Sequence, residues 1–138
     1  MAYWLMKSEP YKYSFDDLLR DQQEPWDGIR NYQAAIFMRE MKVGDLAFFY
    51  HSNEGKEVVG IMTICRSHYP DPTDATGKFC LVDVSPVKKL PHPVTLKAIK
   101  ANPNLANMRM LRQARLSISP VLESEWQEIL KMSQNPSS

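Results

Sequence analysis

Cysteine is scarce in this chain: Cys65 and Cys80 are its two examples, both in apolar runs and without a CxxC spacing. That excludes a disulfide-stapled scaffold and predicts free thiols in a reducing compartment. An excess of charge of one sign is also missing. With 17 basic residues against 16 acidic ones the formal net charge is +1, which excludes a grip on long nucleic acid by charge alone. Recognition of one base or nucleotide, or a local basic patch, stays open. No apolar run approaches the ~20 residues of a membrane span. Histidines stand at 51, 68 and 92 with no metal-ligand spacing among them or the cysteines. The sequence has no Gly-rich phosphate loop and implies no metal, cofactor or membrane partner. No signal peptide precedes Met1-Ala2-Tyr3-Trp4. The expectation is a cytoplasmic protein, or a nuclear one in a eukaryote.

What is present describes one globular domain. The chain has 138 residues, 43% of them apolar and 24% charged, enough for a core of its own. The stretch from Trp26 to Met41 organises the reading. Ala34, Phe37, Met38 and Met41 fall on one helical stripe, Asn31 stands where an N-cap belongs, and Gly44 follows the last apolar position. Ahead of that helix, Trp26, Arg30, Asn31, Tyr32 and Gln33 gather aromatic faces and hydrogen-bonding groups. A helix N-terminus suits polar or anionic ligands, so a flat ligand with polar edges is the first expectation.

Taken in order, Ala2 to Met6 reads as a strand, with Trp4 and Met6 on one face and Tyr3 and Leu5 on the other. Pro10 ends its pairing. Ser14 and Asp17 form a capping box for a short helix that buries Phe15, Leu18 and Leu19. Asp21 to Pro25 reads as a polar loop. Leu46 to Tyr50 and Val58 to Cys65 form a hairpin around Glu54-Gly55-Lys56. Tyr69 to Asp74 reads as a Pro-rich loop and Phe79 to Val84 as a strand with Cys80, Val82 and Val84 on one face. Leu90 to Pro93 leads to Thr95, which caps a helix through Ile99 that Asn102-Pro103 stops. Leu105 to Leu111 fits no pattern. Ser117 to Ser119 reads as a last strand. Leu122, Trp126, Ile129 and Leu130 mark a final helix, capped by Ser124 with Gln127, and residues 133–138 read as a tail. Strands interspersed with short helices, without regular crossover alternation, predict an α+β domain around a curved or barrel-like sheet.

Each candidate site residue has two readings. Ser8 and Glu9 can bond a base edge while Lys7 meets a phosphate, or all three can satisfy loop backbone at a strand end. Trp26 and Tyr32 can wall an aromatic slot or belong to the core; Trp4 and Trp126 are assigned to the core. Arg30 can contact phosphate. Asn31 can cap the helix or read a base edge; as the cap its oxygen is used and its amide donors remain, so the two roles coexist only in part. His51-Ser52-Asn53 suggests a base and nucleophile, but adjacent strand residues point to opposite faces, so a polar rim is preferred. Lys88, Lys89, Lys97, Lys100, Arg109, Arg112 and Arg115 give the second half a basic lean, either a phosphate-facing patch or a solvated surface.

Several separated motifs, in order, resemble the EVE domain. They are Tyr3-Trp4-Leu5-Met6-Lys7-Ser8-Glu9-Pro10, Trp26-Asp27-Gly28-Ile29-Arg30-Asn31-Tyr32-Gln33-Ala34, Gly44-Asp45 and Phe48-Phe49-Tyr50-His51-Ser52-Asn53. Val59-Gly60-Ile61, Pro70-Asp71-Pro72-Thr73 and Arg115-Leu116-Ser117 match as well. The resemblance spans residues 1–132 as a single domain. It implies a PUA-like β-barrel with a mixed, strongly curved sheet flanked by short helices, akin to ASCH and YTH domains. The function it implies is non-enzymatic binding of a modified nucleobase in DNA or RNA. The pocket would draw on Lys7, Ser8, Glu9, Trp26, Arg30, Asn31, Tyr32, Gln33, His51, Ser52 and Asn53. The alternative is an enzyme or small-molecule binder acting on a nucleotide-like metabolite there. After Ala34 the family commonly has Arg-Asn; this chain has Ala35-Ile36, so a phosphate contact made there in relatives is either lost or supplied from Arg39 or Arg30.

Overall fold

The structure, a computed structural model, describes residues 1–134. β1 (Tyr3–Ser8) lies between two partners, parallel to β3 (Leu46–His51) and antiparallel to β6 (Ile118–Val121). Its alternation is as expected: Trp4 and Met6 enter one apolar layer, Leu5 and Tyr3 the other. The strand does not end at Met6, because Lys7 and Ser8 still pair with Tyr50 and His51. This extension places the Lys7-Ser8-Glu9 end beside that of β3.

Helices cover both faces. α1 (Phe15–Asp21) starts at Ser14, whose hydroxyl accepts the Asp17 N–H at 3.1 Å while Asp17 accepts the Ser14 N–H at 2.8 Å. α2 (Tyr32–Glu40) buries the predicted stripe, and both helices pack with Trp4, Phe49 and Met62. On the other face, α3 (Leu96–Ala101), a 3₁₀ turn (Pro103–Leu105), the short α4 (Arg109–Arg112) and α5 (Glu123–Ser133) cover Leu5, Phe48 and Ile61. Trp126 stacks on Phe48 at 3.8 Å between centroids and on Tyr3 at 4.6 Å. No helix among the described residues is long and apolar enough to cross a membrane.

Several boundaries differ from expectation. The polar loop before Trp26 contains β2 (Glu24–Pro25), a strand made only by pairing with distant Asp83 and Val84. The two central strands extend well past their apolar cores, as β4 (Glu57–Pro70) and β5 (Cys80–Thr95), so Tyr69 and Pro70 belong to a strand rather than a loop. Pro86, Pro91 and Pro93 are tolerated in β5 because β2 pairs only its Asp83 and Val84; beyond them that side of the strand is an edge. The unassigned 105–111 region holds turns too short to show a period, anchored by buried Leu105, Met108 and Met110. α5 begins one residue before Ser124: the Leu122 N–H donates to Glu125 Oε1 at 2.9 Å, and Leu122 itself is 66% exposed, ahead of the apolar stripe. Ser133, assigned to the tail, closes α5, with its hydroxyl donating to the Leu130 carbonyl at 2.6 Å; residues 135–138 lie outside the described residues.

The strand order is β2-β5-β4-β3-β1-β6. Register shifts along β3, β4 and β5 bend this sheet. It is mixed and barrel-like, but it does not close: β2 and β6 remain two separate edges.

Candidate functional site

The gap between those edges is a cavity of about 680 Å³. One bank is β2 and the turn after it, supplying Glu24, Trp26, Asp27 and Ile29. Gly28 makes that turn at φ +76°, the left-handed region that glycine enters without strain. The other bank is the approach to β6, with Ala114, Arg115 and Ser117, joined by Lys7 from the end of β1. Ser8, Glu9, Lys12, Tyr13 and Ser52 complete the lining.

Trp26 is fixed by its backbone N–H donating to the Val82 carbonyl at 2.7 Å and by edge-on packing against Phe49 at 5.5 Å and 84°. Only 6% of it is exposed, yet that part faces the cavity, and no acceptor among the described residues engages its indole N–H. Ser8 donates to the Tyr13 carbonyl at 2.6 Å, while its own carbonyl accepts the Ser52 N–H at 2.9 Å. Lys7 Nζ donates to the Ala114 carbonyl at 2.9 Å, tying β1 to the second bank, and burial holds its ammonium below the ordinary lysine range. Glu9 Oε1 accepts from Asn53 Nδ2 at 2.8 Å; Oε2 lies 3.5 Å from Lys12 Nζ and is buried without a hydrogen bond among the described residues. Glu24 is half-buried, and burial followed by the charges of Asp27 and Asp21 raises its carboxyl above the usual range. No donor among the described residues reaches Glu24 or Asp27.

Five of the sequence-predicted residues therefore meet in one cavity: Lys7, Ser8, Glu9, Trp26 and Ser52. Six do not line it. Arg30 turns away, donating to Asp71 Oδ2 and Thr73 Oγ1 at 3.0 Å each and lying over Phe79. Asn31 is the helix cap, its oxygen accepting the Ala34 N–H at 2.9 Å. Tyr32 is 62% exposed and stacks on Phe79 at 5.3 Å. Gln33 follows it on the first turn of α2. The expected slot between Trp26 and Tyr32 does not form, because the Gly28 turn and the Asn31 cap send Tyr32 to another surface. Tyr13 is the second ring of the lining. Nor does the cavity sit on the N-terminus of α2; it precedes it. Arg39 is also occupied, donating to the Lys78 carbonyl.

His51 Nε2 accepts the Phe15 N–H at 3.2 Å, an orphan donor of the first turn of α1. Burial, the largest influence, lowers its pKa, so the ring is a neutral acceptor already in use and not a base for Ser52. Asn53 reaches the cavity only through Glu9. The basic residues of the second half disperse: Arg115 lines the cavity, Lys89 pairs with Asp16 at 3.1 Å, and Lys97 and Lys100 flank a separate shallow groove. Among the described residues no three His, Cys, Asp or Glu side chains gather as a metal site requires. Reading by residue type missed Lys12, Tyr13, Glu24, Asp27 and Ser117. Two signals were available, since Asp27 belongs to the Trp26 motif and Ser117 to Arg115-Leu116-Ser117.

The EVE domain profile matches residues 2–132. This chain belongs to the EVE domain family. Human thymocyte nuclear protein 1 is 33% identical over 171 aligned residues, covering 99% of this chain and 76% of the relative. A protein of Rhodopseudomonas palustris solved by NMR is 51% identical, with a TM-score of 0.93 over 97% of this chain and 94% of its own. The human THYN1 protein, crystallised in complex with 5-methylcytosine-containing DNA, is 33% identical with a TM-score of 0.90, covering 98% and 99%. An ASCH protein from Zymomonas mobilis shares the fold alone, at 12% identity and a TM-score of 0.61 over 95% of each chain. The EVE domain of this chain is thus an α+β, PUA-like architecture whose sheet is left open.

Proposed function

We propose that this chain, a single domain over residues 1–132, is a non-enzymatic module that receives one modified nucleobase of a nucleic acid in the cavity between β2 and β6. One observation carries the reading: a rigidly held Trp26 ring with an unspent indole N–H, beside polar groups with unspent hydrogen-bonding capacity. Stacking on an open aromatic ring contributes ~1–3 kcal/mol per base, and contact with the exposed part of Trp26 can supply a share of that. Together with edge hydrogen bonds that can offset the few kcal/mol needed to unstack a base from its strand. The complex of the human THYN1 protein with 5-methylcytosine-containing DNA supports DNA and a cytosine-type modification as the first ligands to try. Binding is favoured over catalysis because His51, the candidate base, spends its acceptor nitrogen on α1. The balanced charge supports a second reading, a free nucleotide-like metabolite in the same cavity. A cytoplasmic or nuclear location suits either ligand.

Binding of short single- and double-stranded DNA and RNA, with modified and unmodified bases, tests this directly. Trp26→Ala is expected to weaken binding about tenfold or more, while Lys89→Ala, outside the cavity, changes it less than twofold. Because Trp26 also packs on Phe49, Trp26→Phe serves as the folded comparison, keeping a ring but removing the indole N–H. Equal, small effects of Trp26→Ala and Lys89→Ala would overturn the pocket. Binding of a free nucleotide but of no oligonucleotide would favour the second reading.

A further inference from the structure

Stacking and phosphate binding leave the acidic bank of the cavity without a purpose. Glu24 and Asp27 flank Trp26, and neither carboxylate accepts a hydrogen bond among the described residues. The fully buried carboxylates of this chain, by contrast, are satisfied. Asp45 accepts from Ala2, Trp4 and Lys42, Asp71 from Arg30 and Thr73, Asp83 from Gln23 and Tyr69. A half-buried carboxylate without a donor, beside a second negative charge, weakens the fold that carries it. The arrangement makes sense where an incoming ligand brings the donors.

The two banks differ in charge. Across from Glu24 and Asp27 stand Lys7 and Arg115, and Lys7 spends one N–H on Ala114 and keeps two. A phosphate is attracted to that second bank and repelled by the first. A ligand that satisfies both presents N–H donors to β2 and its anionic part to the β6 side. Among pyrimidines a 4-amino group is such a donor, and carboxylates accept from it; a 4-oxo group is an acceptor, which carboxylates repel.

We infer that Glu24 and Asp27 are specificity residues that select a base with an exocyclic amino group over the 4-oxo pyrimidine of the same size. The inference rests on the proposed function, since it names the ligand edge read in the same cavity. Two bases isolate it. Cytosine methylated at C5 and thymine carry the same methyl group and differ in the amino or oxo substituent at C4 and in protonation at N3.

The test is equilibrium binding of oligonucleotides identical except for 5-methylcytosine or thymine at one position, to the full chain and to Glu24→Gln, Asp27→Asn and the double variant. These variants are isosteric and remove a like-charge pair, and thermal melts confirm that each is folded. The unmodified chain is expected to prefer 5-methylcytosine about tenfold. Each single variant lowers that ratio, and the double variant brings it near one, largely through gained thymine affinity. A tenfold preference that survives in the double variant overturns the inference and leaves the pocket reading intact. Equal binding of both bases by the unmodified chain, or a preference for thymine, also overturns the inference alone. No binding of either oligonucleotide by the unmodified chain overturns the proposed function and the inference with it.

Discussion

Asp45 is 4% exposed and accepts N–H donors from Ala2 at 3.1 Å, the Trp4 indole at 3.1 Å and Lys42 at 3.0 Å. Burial alone would raise its carboxyl; the donors from Lys42, Trp4 and Ala2 outweigh burial and hold it below the ordinary aspartate value of 3.8. A depressed folded pKa means stability that is present above the unfolded value and lost as pH falls through the folded one. Asp45→Ala is therefore expected to cost roughly 3 kcal/mol in urea unfolding at neutral pH, because three N–H groups lose their partner. The gap from the parent should narrow below pH 3.8; a constant gap would show that the charge is not what matters. At this scale the sequence was legible where the partner is local. Asn31 could be read as a cap because its acceptor duty lies three residues ahead, at Ala34. Arg30 and Tyr32 could not be placed, since Asp71 and Phe79, which hold them, are set by the tertiary fold.

Gly60 of β4 faces the Phe15 ring of α1, and a Cβ built there would fall well inside contact distance of three ring atoms. The requirement is one of space: Gly60 is not among the glycines with positive φ. Gly60→Ala is expected to destabilise the domain by about 1–3 kcal/mol through overpacking. Adding Phe15→Leu should recover part of that loss, and chemical denaturation of the single and double variants checks it. An additive double variant would mean that the ring does not seat on Gly60. Element types were legible wherever one side of a strand or helix is buried, as in the Trp4 and Met6 face of β1 or the stripe of α2. Ends were less so. β2 exists only by pairing with β5, and the prolines of β5 signal a break until the strand is known to lie at an edge.

Across the whole molecule the formal net charge is +1 and the cavity is lined by three cations, Lys7, Lys12 and Arg115. Lys12 already faces Glu9. Each neutralised phosphate contributes about −0.9 to the slope of log affinity against log salt. Oligonucleotide binding is thus expected to show a slope of about −3 or shallower; one near −8 would require a phosphate track outside the cavity. The α+β class and the family were legible because separated motifs recur in order along the chain. That the sheet stays open was not, since strand patterns tell which faces are buried and not which edges meet.

A closed barrel completes its circumference with its own backbone hydrogen bonds. Here a two-residue β2 and the approach to β6 stop short of one another, and the notch between them is the cavity. A guest seated in that notch would take the place of the missing rung of the ladder, between chain segments from opposite halves of the sequence. On the proposed function, recognising the ligand and finishing the wall would be one event.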